Sequence, residues 1–399
     1  MEYRKLTAED AVEYVKSVPG LFSKQATLSG SEISDGNMNF VFRVAERENE
    51  EKSVILKQAL PYMRAVGPSW PLTPDRIRVE YETLTIQNEI CPELVPNIYH
   101  YDEKLKLMVM EDLVSHHILR DGLIAEKHYP SLAKQIGTFL ARMLFSTSVF
   151  TLTDEGSQKF KLKFENRTMC KISQDFIFTY PFQNHPMNRY NPLIQKEVSD
   201  IWGNHKLKVE IENIKHQFMT NKQALLHGDL HTGSIMVTDN DTKVIDAEFA
   251  FYGPMGFDIG LFFANVLMDY ASHRKEEHAD DQDDLLNLIR MSWDELERQF
   301  RKLSKQHRNY ASFPDMDEFL SSLFHDSLGF AGCEMMRRVM GTSHVEDIER
   351  IVEDEARANA ETFVLCMGQK LIMERNYIQN PRELFLAIKQ LEEQRDQSL

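Results

Sequence analysis

At 399 residues the chain is longer than one compact core takes and calls for two lobes or domains. Its apolar fraction of 42% and charged fraction of 27% are those of an ordinary globular protein, and no run approaches the roughly 20 apolar residues that span a bilayer. The net charge of −16 argues against nucleic acid or a membrane surface as partner, and it requires that any anionic ligand be held by locally placed Lys, Arg, metal or backbone amides.

The N-terminal stretch MEYRKLTAEDAVEYVKS is charged throughout and lacks the apolar centre of a signal peptide, so a cytoplasmic protein is expected. Residues 25–58 hold two β-rich runs, ATLSGSEI and FVFRVA, then SVILKQAL after the charged turn ERENEEK, which predicts a hairpin followed by a third strand. Ser34 to Phe40, between the first two strands, contains Gly36, Asn37 and Asn39, whose backbone amides suit a turn folded over phosphate oxygens. A plain hairpin turn fits the same letters. Lys57 is the lone charge in Val54–Gln58 and is costly to bury without a carboxylate.

A loop rich in Pro and Gly from Pro61 to Pro74 places Trp70 between prolines, and the spacing of RIRVEYETLTIQNEI predicts a helix after it. Short strands are expected at Val95–Tyr101 and Leu105–Met110. Beyond Leu113 helical patterns dominate, as at Tyr129–Phe145, Val209–Met219 and Asp317–Val339, with one strand pair at Ser234–Val237 and Thr242–Ile245. The expected division is therefore a β-rich N-terminal lobe, 1–112, and a mostly helical C-terminal lobe, 113–399. The acid run Glu276–Asp284 reads as a solvated loop, and Cys91, Cys170, Cys333 and Cys366, without CxxC or Cys/His spacing, as buried thiols.

The strongest chemical signal is Leu225–His231 (LLHGDLH), then Ser234–Val237, then Val244–Glu248 (VIDAE). An apolar strand end delivers one acid, Asp229, into a loop, and a second acid, Asp246, emerges 17 residues later at the end of another apolar strand. Phosphoryl transfer needs such a pair. One carboxylate orients and deprotonates the attacking hydroxyl, and the other holds Mg²⁺ against the phosphates.

HGDLH resembles the catalytic loop, HGDLHxxN, of the aminoglycoside-phosphotransferase and choline-kinase branch of the protein-kinase-like fold. The resemblance implies a bilobal α+β fold with its active site in the cleft between lobes. It makes Asp229 the catalytic base and Asp246 the principal Mg²⁺ ligand. The usual metal-binding Asn is Ser234 here, and the triplet Asp246-Ala247-Glu248 has a second carboxylate where most kinases place Gly; either the Ser234 hydroxyl, as a cofactor contact, or Glu248 then supplies the oxygen of the missing Asn. Lys57 becomes the phosphate anchor, with Glu80 as its partner by the pattern Glu80-x-x-x-Leu84, or Glu82 on another helix face. Met108–Leu113 resembles a hinge in which the backbones of Glu111 and Leu113 meet adenine.

The pair HGDLHTGSI and DAE is similar to the family of 5-methylthioribose kinases, which phosphorylate the anomeric 1-hydroxyl of their sugar in methionine salvage. In that family a Trp loop lies near the sugar site, which gives Trp70 a role as its cover. Arg337 and Arg338 sit in an otherwise apolar helical segment. Adjacent helical positions point about 100° apart, so at most one is expected to face the core. A guanidinium there suits sugar hydroxyls or the moving phosphoryl group, and ion pairing with Glu334 is the alternative. ATP and Mg²⁺ are the implied cofactors, a small sugar the partner, and a homodimer the family's usual assembly. Other acceptors (choline, homoserine, an aminoglycoside) and a non-catalytic pseudokinase remain alternatives. Phe249–Asp258 is too short to hold the activation segment of a protein kinase.

Overall fold

The computed structural model describes residues 3–33, 38–64, 66–273, 279–307 and 314–396, so Gly36 and Asn37 of the expected phosphate turn lie outside the described residues. The chain forms two compact units. The first is Met1–His116 with Asn166–Met169 and Lys243–Ala250, and the second is His117–Glu165, Cys170–Thr242 and Phe251–Leu399.

The first unit opens with helix α1 (Ala8–Ser17), started by a capping box in which Thr7 and Asp10 satisfy each other's backbone amides. Strands β1 (Leu28–Ile33), β2 (Asn39–Glu46) and β3 (Asn49–Ala59) follow, then α2 (Arg76–Ile90), β4 (Ile98–Asp102) and β5 (Leu107–Glu111). They make one antiparallel sheet in the order β1-β2-β3-β5-β4. The expected turn ERENEEK is shorter than its charge suggested: only Arg47 and Glu48 turn, and Asn49 onward is already strand, because exposed charged residues extend a hairpin whose far end is buried.

Side-chain alternation in β3 sets the chemistry. Val54 and Leu56 join Phe42, Val44, Leu107 and Val109 in a core that packs on Ala11 and Val15 of α1. Ile55 and Ala59 point the other way, into a core with Ile77 and Leu84 of α2. With a period of two, Lys57 belongs to the α2 face.

The second unit contains β6 (His117–Ile118), α3 (Leu119–Ile124), α4 (Leu132–Ser146), α5 (Asp154–Lys163), α6 (Arg167–Phe178), α7 (Gln195–Gly203) and α8 (His205–Thr220). Then come β7 (Ala224–Leu226), β8 (Ile235–Val237), β9 (Thr242–Val244), β10 (Phe251–Gly253), α9 (Gly256–Ser272), α10 (Ala279–Gln306), α11 (Met316–Met340), α12 (Glu346–Glu349), α13 (Asp354–Glu374) and α14 (Pro381–Asp396). The unit boundary crosses α6 and β9. The expectation of one strand pair undercounted the short strands: β7 pairs with β10, and β6-β8-β9 form a three-stranded sheet. Two- and three-residue strands are too short to show a period.

Helix α9 is buried from Gly256 to Ala271, as its nearly unbroken apolar sequence requires, and it packs along α11, which packs in turn on α13. The acid run is a correction as well. Its residues 276–278 lie outside the described residues, but from Ala279 the chain is already α10, with Asp283 paired to Lys389 at 3.1 Å. Cys91 and Cys333 are buried, whereas Cys366 is exposed rather than buried. No helix among the described residues is long and apolar enough to cross a membrane.

Candidate active site

Lys57 Nζ lies 2.7 Å from Glu80 Oε1 and also contacts a carboxylate oxygen of Asp246. The geometry separates the two candidate glutamates, since Glu82 turns to Arg78 at 2.6 Å. Burial works against the ammonium charge, but Asp246, Glu80 and Glu248 outweigh it and raise the pKa of Lys57. Burial likewise pushes Glu80 up to about 8, against the pull of Lys57, with Asp246 and Glu248 adding to the rise.

Glu248 is buried, and its Oε2 accepts from Asn39 Nδ2 at 2.8 Å and from Arg76 Nε at 3.1 Å. Asn39, read from sequence as a phosphate contact, thus spends its side-chain amide on Glu248 and its Oδ1 on Arg76 (2.7 Å). Arg76 itself was invisible to sequence reasoning. At 0% exposure it also donates to the carbonyls of Leu60 (2.7 Å), Thr73 (3.0 Å) and Met38 (2.9 Å). An arginine beginning an amphipathic helix normally faces water, and nothing in RIRVEYE marks this one as buried. Asn166 Nδ2 fixes the backbone beyond Glu248 through the carbonyls of Glu248 (2.9 Å) and Ala250 (3.1 Å).

Asp246 is held at φ +69°, a conformation uncommon outside glycine, and its side chain is 50% exposed, unlike its buried neighbours. Three carboxylates therefore crowd two cations, Lys57 and Arg76, and the only accessible acid is Asp246. A carboxylate half open to solvent offers the oxygen ligands that a hard divalent cation takes. The described residues hold no group of three or more His, Cys, Asp or Glu placed to bind a metal unaided. Mg²⁺ usually takes one or two carboxylates and completes its shell with phosphates and water.

In the second unit the loop that carries Asp229 runs between β7 and β8. The carboxylate of Asp258, on the first turn of α9, accepts from the amides of His227 (2.7 Å) and Gly228 (2.9 Å). Gly228, at φ +84°, allows the chain to reverse there. Sequence reading passed over Asp258; its signal was the Gly-Phe-Asp opening of an otherwise apolar helix. Ser234, expected as a cofactor contact, turns inward. Its hydroxyl accepts from the His231 amide (3.0 Å) and lies within hydrogen-bond distance of the Asp229 (2.8 Å) and His231 (2.9 Å) carbonyls, so it braces the loop.

Asp229 Oδ2 faces His231 Nε2 at 3.5 Å. Burial opposes ionisation of Asp229, but His231, Arg338 and Arg337 overcome it and hold the carboxyl well below the usual range. The arginines correct the helical-wheel expectation, because both are buried. Glu334 sits one turn back, at i−3 and i−4, and both long side chains converge on it. Arg337 meets it with Nε at 2.7 Å and Nη2 at 2.9 Å, and Arg338 with Nε at 2.7 Å. Two guanidinium groups share one carboxylate, which leaves a positive charge beside Asp229.

Trp70 sits in a closed loop. Its carbonyl accepts from the Met63 amide (2.9 Å), its amide donates to Gly67 O (3.0 Å), and Tyr62 bridges Pro71. At the expected hinge, the Glu111 amide donates to Asn97 O (2.9 Å) and Leu113 O accepts from His116 (2.9 Å). The structure thus gathers Lys57, Glu80, Asn39, Asp246 and Glu248 in the first unit, and Asp229, Ser234, Arg337 and Arg338 in the second.

Comparison with known proteins matches residues 29–282 to a phosphotransferase enzyme family. Among curated relatives, the methylthioribose kinase of Geobacillus sp. (strain WCH70) is 40% identical over 386 residues, covering 96% of this chain and 95% of that one. That of Cronobacter sakazakii is 38% identical over 396 residues (98% and 99%), and that of Bacillus thuringiensis 42% over 375 residues (93% of each). A solved choline kinase from Cryptosporidium parvum overlays 93% of this chain and 99% of its own, at TM-score 0.49 and 14% identity. With that family match over residues 29–282 and near-full-length relatives at about 40% identity, this chain belongs to the methylthioribose kinase family.

Proposed function

We propose that the protein transfers the γ-phosphoryl group of ATP to the 1-hydroxyl of 5-methylthioribose, giving 5-methylthioribose 1-phosphate and ADP in methionine salvage. The observation that carries the reading is Asp229, held ionised by a histidine and two arginines that share a single glutamate. A carboxylate kept ionised before reaction can orient the attacking hydroxyl and receive its proton as the bond to phosphorus forms, and surplus guanidinium charge suits a sugar oxygen or a phosphoryl group.

In the step proposed, the hydroxyl oxygen bonds to the γ-phosphorus as the bond to the β–γ bridging oxygen breaks. ADP leaves with the electron pair, and the hydroxyl proton passes to Asp229. Arg337 and Arg338 hold the acceptor and the charge that develops on the transferred group. Lys57, fixed by Glu80, anchors the α- and β-phosphates, and the backbones of Glu111 and Leu113 take adenine. Trp70 covers the sugar. Mg²⁺ would be held by Asp246 with Glu248 behind it, and its chemistry is to neutralise the β- and γ-oxygens. The cytoplasm, where ATP is plentiful, and the family's homodimer are the setting proposed.

The test is ADP release from Mg²⁺-ATP against 5-methylthioribose, ribose, choline, homoserine and kanamycin. Turnover confined to 5-methylthioribose is expected, and turnover only on another acceptor would remove the substrate assignment. In Asp229→Asn, ATP affinity should stay near wild type while kcat falls by about 10³-fold or more. Near-normal turnover in that variant would sink Asp229 as the base.

A further inference from the structure

His231 follows Asp229 by two residues and has three geometric constraints on its ring. Its Nδ1 accepts the Gly233 amide proton at 2.9 Å, so that nitrogen must present a lone pair. The ring proton therefore sits on Nε2, the atom 3.5 Å from Asp229 Oδ2. The ring also lies where a side chain at residue 233 would stand: a Cβ built on Gly233 would come 2.8 Å from the imidazole Cε1 and 2.9 Å from Nδ1. That same Cβ would lie 3.0 Å from Arg120 Nη1, which places a guanidinium at the loop's edge. Arg120 of α3 is anchored by Asp347 of α12 at 3.1 Å and by Asn265 Oδ1 of α9 at 3.0 Å. With Nδ1 occupied and Nε2 protonated, the imidazole has no site to take up a substrate proton. It can only donate.

We propose that His231 is a positioning residue for Asp229: the Gly233 amide fixes its tautomer, and its Nε2–H directs one carboxylate oxygen, leaving the other for the acceptor hydroxyl. The inference rests on the reading of Asp229 as the base. Burial first, then the charges of Arg120 and Arg338, hold His231 below its ordinary pKa against the pull of Asp229, which is consistent with a neutral ring. Among the described residues, the charged and titratable groups that face Asp229 are His231 and His227 on its own loop, the latter's Nδ1 accepting from the Asp229 amide at 3.3 Å, with Arg120 of α3, Arg337 and Arg338 of α11, and Asp258 of α9. Removing the histidine leaves the arginines in place, so Asp229 remains an acid of lowered pKa that has lost one hydrogen bond to its charged form.

The experiment compares His231→Leu, His231→Gln and Gly233→Ala with wild type by steady-state kinetics across pH, with thermal melts to verify folding. His231→Leu should lower kcat by about 10- to 100-fold with the KM for ATP little changed, and the acid limb of kcat/KM should move to higher pH. The amide of His231→Gln can still donate and should restore part of both. Gly233→Ala keeps every functional group but displaces the ring, so it should resemble His231→Leu. It also serves as the test if His231→Leu does not fold. Wild-type kcat and an unmoved acid limb in folded His231→Leu or Gly233→Ala would overturn the proposal. So would equal losses in His231→Leu and His231→Gln with no change in the pH profile, the mark of a purely structural role. Asp229→Asn, run alongside, separates the two ideas, since activity there removes the base itself whatever the histidine variants do.

Discussion

Arg76 is the residue on which the first unit's chemistry depends most. Its guanidinium supplies five hydrogen bonds, tying Glu248 and Asn39 to the carbonyls at the base of the Trp70 loop and at Met38. A buried carboxylate deprived of its cation costs more than the pair contributes, so Arg76→Met should lower stability by about 3–5 kcal/mol in chemical denaturation. Adding Glu248→Gln should recover a good part of that loss, because the stranded charge is then gone. A change under about 1 kcal/mol would mean that the network is not structural. Lys57 follows the opposite logic. Its burial was legible from one charge amid apolar letters, and the alternation of β3 directs it to the face of α2, where Glu80 rather than Glu82 can meet it.

Between elements, much of the second unit's polar chemistry is arranged from α9. Asp258 on its first turn holds the loop that carries Asp229, Asn265 near its middle accepts from Arg120, and Asp269 near its end stands with Asp347 of α12. Both carboxyl oxygens of Asp269 are buried without a hydrogen-bond donor among the described residues. Burial and the neighbouring Asp347 raise its pKa well above the ordinary value, against Arg350 and Arg120. A carboxyl whose folded pKa is raised is more protonated in the native state than in the unfolded one. Its contribution is therefore complete below about pH 4 and is lost as pH rises, by up to about 1.4 kcal/mol per unit. Asp269→Asn should flatten the fall in melting temperature between pH 5 and pH 8. An unchanged slope would show that Asp269 does not carry the proton. Asp229 has the opposite sign: its lowered pKa adds stability above the usual carboxylate range, which is lost as pH falls below it.

For the whole molecule, a chain of net charge −16 must bind a polyanion. Lys57 alone is spread over three carboxylates, so the nucleotide should bind well only with its metal. Mg²⁺-ATP at 100 times its Kd should stabilise the protein by about 2.7 kcal/mol in thermal or chemical unfolding, and ATP with excess EDTA by far less. Equal stabilisation by both, or an unaltered metal dependence in Asp246→Asn, would remove Asp246 as the metal ligand.

The division into a sheet-rich N-terminal part and a helical remainder was legible in the letters because strand alternation and helical spacing are local patterns, and α2 occupies the very segment its spacing marked. The placement of Asp229 and Asp246 just beyond short apolar strands was legible too. Tertiary structure alone decided the rest. Burial of both arginines on one glutamate contradicts the helical wheel, because long side chains bend toward a shared charge that angular position does not report. Arg76 meets Glu248, Arg120 meets Asp347 and Asp258 meets the His227 amide across 172, 227 and 31 positions, and no local pattern encodes a contact across such distances. Sequence fixes which charges the chain carries and the faces they start from. Packing settles which of them must find one another out of water, because a buried charge without a partner is too costly to keep.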